Sequence, residues 1–124
     1  MLVVEDVPTN RLIAERLLGR LGVTPVLAND GAEGLRHLSE APFDLVLMDI
    51  EMPGMDGFEA TRLWRAKETG SRVPILALTA HAMVDHGQRV LEAGMDDLLA
   101  KPIRLADLAQ ALARWLPEAV RRAS

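Results

Sequence analysis

The stretch Leu45-Val46-Leu47-Met48-Asp49 runs four apolar residues into an acid, and Ile50-Glu51-Met52-Pro53-Gly54-Met55-Asp56-Gly57 follows as a turn rich in glycine and proline. Four apolar residues without period-two alternation fit a strand covered on both faces, as in the middle of a parallel sheet. A carboxylate at the end of such a strand needs a partner to offset its desolvation, so Asp49 is more than a surface charge. Working outward, the same alternation of short apolar runs with amphipathic stretches recurs about every twenty residues, the mark of successive βα units. Upstream, Leu2-Val3-Val4 opens a strand. Pro8-Thr9-Asn10 then starts a helix with Leu12, Ile13, Leu17 and Leu21 as its apolar spacing and Gly22 as its stop. Thr24 to Ala28 reads as a second strand, placed at an edge because Pro25 cannot donate to a ladder on both sides, and a helix from about Ala32 to Ser39 ends before Pro42. Downstream come a helix from about Phe58 to Lys67, a strand from Val73 to Thr79 and a weaker helix from about Met83 to Ala93, closed by Gly94. Leu98-Leu99-Ala100 is the last strand, and Leu105, Leu108, Ala109, Leu112, Trp115 and Leu116 space the inner face of a final helix. Five βα units result, predicting an α/β domain with a doubly wound, five-stranded parallel sheet and helices on both faces.

Length and composition agree with one such domain spanning residues 1–124: 124 residues, 49% hydrophobic and 26% charged, suffice for a single core. Lys+Arg 14 against Asp+Glu 18 gives a net charge of −4, and the aromatic residues are Trp64, Trp115, Phe43 and Phe58. That balance lacks the basic field and stacking platforms of a nucleic-acid binder. No apolar run approaches the ~18 residues of a membrane span, so no membrane contact is expected of this domain. The cysteine count is 0, which excludes disulfides and thiolate metal sites and makes a reducing, cytoplasmic setting the simplest compartment.

Ligands of open parallel sheets bind beyond the carboxyl ends of the strands. The residues predicted to gather there are Glu5 and Asp6 after the first strand, Asp49 at the third, Thr79 at the fourth and Lys101 after the fifth. Three carboxylates at one edge repel one another unless a cation holds them. Oxygen ligands alone suit Mg²⁺, whereas zinc prefers Cys or His, and His37, His81 and His86 have no metal-ligand spacing. The Lys101 ammonium and the Thr79 hydroxyl are groups that neutralise and hydrogen-bond a phosphoryl oxygen. An acidic nucleophile, a metal and such a clamp make a phosphoryl-transfer site. Singly the residues are weaker: Glu5 and Asp6 also suit a helix N-terminus, Thr79 an ordinary strand and Lys101 a solvated surface.

With these motifs in this order, the whole chain resembles the receiver domain of two-component response regulators. Val3-Val4-Glu5-Asp6 is similar to the family's acidic pair, Leu47 through Gly57 to its phosphoacceptor strand and loop, Thr79-Ala80 to its switch hydroxyl, and Lys101-Pro102 to its lysine and proline. The resemblance implies a flavodoxin-like (βα)5 fold of strand order 2-1-3-4-5. It also implies phosphorylation of Asp49 by a phosphohistidine, with Mg²⁺ held by Glu5, Asp6, Asp49 and the backbone carbonyl of Glu51. Thr79, Ala80 and Lys101 would bind the phosphoryl group, Glu51 and His81 would flank it and modulate attack by water, and Lys101-Pro102 would be cis. Asp6 through Arg11, Thr79 through Met83, and Gly94-Met95-Asp96-Asp97 before Lys101-Pro102-Ile103 are similar to receivers fused to hybrid sensor histidine kinases. The implied partner is a histidine kinase or a histidine phosphotransfer domain. With no effector domain, a start almost on the first strand and a polar tail Arg121-Arg122-Ala123-Ser124, the expectation is of a module belonging to a larger hybrid kinase.

Two positions depart from the family pattern. Leu98 stands three before Lys101, where the family usually carries the aromatic that turns inward on phosphorylation, and the chain has no Tyr. Val7-Pro8 follows the acidic pair, Pro8 being tolerated at a helix start. Two other functional classes compete with a self-phosphorylating signalling domain that is not a turnover enzyme. A haloacid-dehalogenase-type phosphohydrolase would use Asp49-Ile50-Glu51 as its DxD pair, but Met52-Pro53-Gly54 and the lack of a cap segment oppose it. A pseudo-receiver acting only as an interaction surface would not need every catalytic position filled.

Overall fold

The computed structural model describes residues 1–81 and 87–116. Five strands, β1 (Leu2–Val4), β2 (Val26–Ala28), β3 (Val46–Asp49), β4 (Ile75–Thr79) and β5 (Asp97–Ala100), alternate with α1 (Pro8–Arg20), α2 (Gly31–Glu40), α3 (Gly57–Lys67), α4 (Gly87–Ala93) and α5 (Leu105–Trp115). All pairings are parallel and the order is β2-β1-β3-β4-β5, which is the expected flavodoxin-like sheet. The start expected for the fourth helix, Met83, His86, and the tail from 117 onward lie outside the described residues.

Side chains alternate across the strands, and both faces find an apolar cover. Leu2, Val4, Val46, Met48, Ile75 and Ala77 pack with Phe58 and Ala60 of α3 and Val90 and Ala93 of α4. Val3, Leu45, Leu47, Leu76 and Leu78 pack with Ala14 and Leu18 of α1 and Leu108 and Leu112 of α5. The helices start where local chemistry satisfies their first N–H groups. Asp30 accepts from Glu33 N at 2.8 Å to cap α2, Asp56 accepts from Glu59 N at 2.8 Å to cap α3, and α1 begins on Pro8.

Strand boundaries shift where a backbone donor is missing or taken. The second strand starts at Val26 rather than Thr24, because Pro25 has no N–H and Val26 N is the first to bond, to Met1 O at 2.9 Å. The fourth starts at Ile75 rather than Val73, since Val73 N goes to Glu68 Oε2 at 2.9 Å and Pro74 has none to give. The stripe read in α1 is corrected more deeply. Leu12 and Ile13 are exposed, at 44% and 37%, while Ala14 and Leu18 fill the core. Leu17 and Leu21 of that stripe do pack, partly buried, against the same core, so the spacing found the covered side over the second half of the helix and missed it in the first. Likewise in α5 Ala111 is buried and Ala109 only half-buried.

Candidate functional site

Parallel register gathers the strand ends. Val4 pairs with Met48, so Glu5 lies beside Asp49; Asp49 pairs with Leu78, next to Thr79; Thr79 pairs with Ala100, next to Lys101. Glu5, Asp49 and Thr79 are the buried polar residues there, at 1%, 0% and 0% exposure. The loop from Asp49 to Gly57 turns back over the strand end with Gly54 at φ 75°, a left-handed conformation suited to glycine. Gly57 then lies directly against the Asp49 carbonyl, where any Cβ would collide with backbone.

The carboxylates of Glu5, Asp6 and Asp49 bring ligand oxygens within 4.8 Å of one another. Lys101 Nζ sits between two of them, 3.0 Å from Glu5 Oε2 and 2.9 Å from Asp49 Oδ2. Glu5 Oε1 also accepts from Asn10 Nδ2 at 2.8 Å, and Arg11 Nη1 donates to the Glu5 carbonyl at 2.7 Å. Asp49 Oδ1 accepts from Glu51 N at 2.9 Å. Asp6 Oδ1 is buried with no hydrogen-bond partner. One ammonium in contact with two of three acids leaves negative charge in excess. Burial and the neighbouring Glu5 push Asp49 up to about 7, against the Glu51 N–H and Lys101. Burial opposes ionisation of Glu5 as well, but its hydrogen bonds with Asp49, Asn10 and Lys101 hold it below the usual carboxylate range. Lys101 is likewise partly buried, yet the two acids raise its affinity for a proton. An orphaned buried carboxylate oxygen within a tight triad of oxygen ligands fits a hard divalent cation.

The donors at the end of β4 face Glu51. Thr79 Oγ1 donates to Glu51 Oε1 at 3.1 Å, Ala80 N donates to the same oxygen at 2.9 Å, and His81 Nδ1 lies 2.8 Å from Oε2. His81 N donates to Thr79 Oγ1 at 3.0 Å, fixing the hydroxyl. The Glu51 side chain therefore stands with the β4 donors and outside the triad of Glu5, Asp6 and Asp49. Leu98 is half-buried against the core shared with α3 and α4, and Lys101-Pro102 is a cis peptide, as the resemblance implies.

Asn10 and Arg11 act on the site without having been assigned a role from the sequence. Their signal was weak: a polar residue five after Glu5 in the first turn of α1 faces back toward the strand end, a relation only the turn between them creates.

The family model for the response regulator receiver domain matches residues 1–113. The sensor histidine kinase GacS of Pseudomonas protegens is 43% identical over 124 residues, covering 98% of this chain and 14% of that protein. The chain thus spans about a seventh of that relative. Among solved structures, the receiver domain of the Pseudomonas aeruginosa PAO1 sensor histidine kinase PA1611, with magnesium coordinated in its active-site cleft, superposes with TM-score 0.85 and 44% identity, covering 94% of this chain and 96% of that one. A Saccharomyces cerevisiae complex of the histidine phosphotransfer protein Ypd1 with the receiver domain of Ssk1 matches with TM-score 0.83 and 28% identity, over 92% of this chain and 86% of that one. With the acid pair, the aspartate strand, the threonine and the lysine at one sheet edge and this match over most of its length, the chain belongs to the response regulator receiver domain family.

Proposed function

We propose that residues 1–124 form one phosphoacceptor domain of a phosphorelay, accepting a phosphoryl group on Asp49 from a phosphohistidine of a histidine kinase or phosphotransfer domain. The observation that carries this reading is the buried Asp49 carboxylate held between a lone ammonium, Lys101, and two further acids, one with an orphaned oxygen. Glu5, Asp6 and Asp49, with the Glu51 carbonyl, would hold Mg²⁺, which when bound neutralises charge on the transferring phosphoryl group. An Asp49 oxygen forms the new P–O bond as the P–N bond of the phosphohistidine breaks, and the departing imidazole nitrogen keeps the electron pair. Lys101 follows the phosphoryl group as its charge partner, while Thr79 Oγ and Ala80 N donate to its oxygens. Asn10 keeps Glu5 aimed inward throughout. Slow loss of the phosphoryl group to water, with Glu51 and His81 beside the attack path, completes the cycle.

The donor protein must reach Asp49 past the rim of α1. There Val7, Leu12 and Ile13 are exposed apolar residues, and Ile13 lines a small cavity with Glu5, Asn10, Lys101, Pro102 and Ile103. An apolar rim beside a charged centre suits the docking of a protein donor, and a histidine phosphotransfer protein is the partner of the receiver domain in the Ypd1 complex. The cytoplasm of a cell carrying a larger hybrid kinase, of the GacS type, is the setting this implies.

The deciding experiment is intact mass after incubation with acetyl phosphate, with and without Mg²⁺. One phosphoryl adduct that requires Mg²⁺ and disappears in Asp49→Asn is expected; labelling of Asp49→Asn would overturn the assignment.

A further inference from the structure

The phosphoryl-binding donors are already engaged at rest. Glu51 Oε1 takes both the Thr79 hydroxyl at 3.1 Å and the Ala80 amide at 2.9 Å, and Oε2 pairs with His81 Nδ1 at 2.8 Å. A carboxylate oxygen and a phosphoryl oxygen are both anionic acceptors with the same distance requirements. Two of them cannot share this pair of donors, since they would sit in mutual repulsion at hydrogen-bond separation. We infer that the Glu51 carboxylate is a resident occupant of the phosphoryl-oxygen site, a latch that holds the β4 donors in place and must be expelled when Asp49 is phosphorylated. This rests on the phosphoacceptor reading of Asp49, Thr79 and Ala80 given above.

The geometry suits a side chain that leaves. The Glu51 backbone is anchored separately, its amide donating to Asp49 Oδ1 at 2.9 Å, so the carboxylate can swing without moving the loop. Its side chain is 36% exposed, which opens a path to water, whereas Thr79 is fully buried and stays. Occupancy keeps the hydroxyl and the amide pointed at the position of an anion before any phosphoryl group arrives, limiting later reorganisation. Expulsion also strips His81, 59% exposed, of its acid partner. Phosphorylation would then change the surface at Glu51 and His81 directly, with Leu98 in place of an aromatic rotamer.

Beryllofluoride, which mimics the phosphoryl group on an aspartate, titrated at saturating Mg²⁺ and followed by ¹⁹F and amide NMR, tests the latch. Glu51→Ala is expected to bind beryllofluoride on the order of tenfold tighter than the wild type, because no occupant must be displaced. Glu51→Gln, which keeps shape and an acceptor oxygen but no charge, is expected to fall between them. The Ala80 and His81 amide signals of wild type and Glu51→Ala should differ without the probe and converge with it, a pattern that mere loosening of the loop would not give. Binding by all three proteins, with affinity unchanged or weaker in Glu51→Ala and Glu51→Gln than in the wild type, overturns the latch alone. No binding by any of them overturns the phosphoacceptor reading, and the latch with it.

Discussion

The two edges of the sheet each carry a cluster of acids and bases, and they are resolved in opposite ways. At the amino edge, Arg65 donates to Glu68 at 2.8 and 3.0 Å, to Asp96 at 3.0 Å and to the Gly94 carbonyl at 2.9 Å. Arg72 donates to Asp96 Oδ1 at 3.2 and 3.1 Å and to the same carbonyl at 2.9 Å. The remaining acceptor capacity is filled by Ile75 N on Asp96 and by Val73 N and the Trp64 indole on Glu68. Burial works against ionised Glu68, but those donors hold it below the usual carboxylate range. At the carboxyl edge one lysine pairs with two of three acids, Asp6 Oδ1 has no hydrogen-bond partner and Asp49 is pushed up to about 7. Satisfied charge ties α3, the loop to β4 and the start of β5 together, whereas unsatisfied charge is kept at the edge where a cation and a phosphoryl group would enter. The lesson is that stability and reactivity are held at opposite ends of the same strands.

The contrast can be broken by mutation. Arg65→Ala leaves two largely buried acids with fewer partners and should cost about 3 kcal/mol in urea unfolding; a cost within that of a surface substitution would remove the distinction between the edges. Asp49→Asn should act in the opposite direction, raising the stability of the metal-free domain by about 1–2 kcal/mol above the pH at which Asp49 ionises. The gain depends on pH with a definite sign. Asp49 has a folded-state value near 7, raised from 3.8, so its stabilising contribution is complete below about pH 4 and is lost as pH rises through about 7. The stability gap between Asp49→Asn and wild type should therefore widen from about pH 4 to about pH 7, and Mg²⁺ should narrow it by binding the ionised wild-type site. Thermal melts of both proteins with and without the ion measure this, and parallel curves would show that Asp49 is already satisfied in the folded chain.

The amino-edge network shows where sequence reading stops. Gly94-Met95-Asp96-Asp97 was visible as a motif, yet nothing in its wording paired Asp96 with Arg65 and Arg72, which lie 31 and 24 residues away. Sequence order does not carry the crossing of α3 against the start of β5. The carboxyl edge was more legible because parallel strands end at one edge by construction, so acids at successive strand ends must meet. Even there, the direction of the Glu51 side chain was open: two residues after Asp49 on a loop, it could face either the acids or the β4 donors.

By itself the sequence determined the alternation of strands and helices, the doubly wound sheet and the edge at which Glu5, Asp6, Asp49, Thr79 and Lys101 gather, because apolar period and strand polarity are local properties that one chain direction makes global. Tertiary structure alone decided how far the covered side of α1 extends, leaving Ile13 at the rim and Leu18 in the core, and which partner each charge takes. Helical spacing marks an apolar stripe without its margins, and a long side chain chooses its contact from whatever the fold brings within a few ångströms.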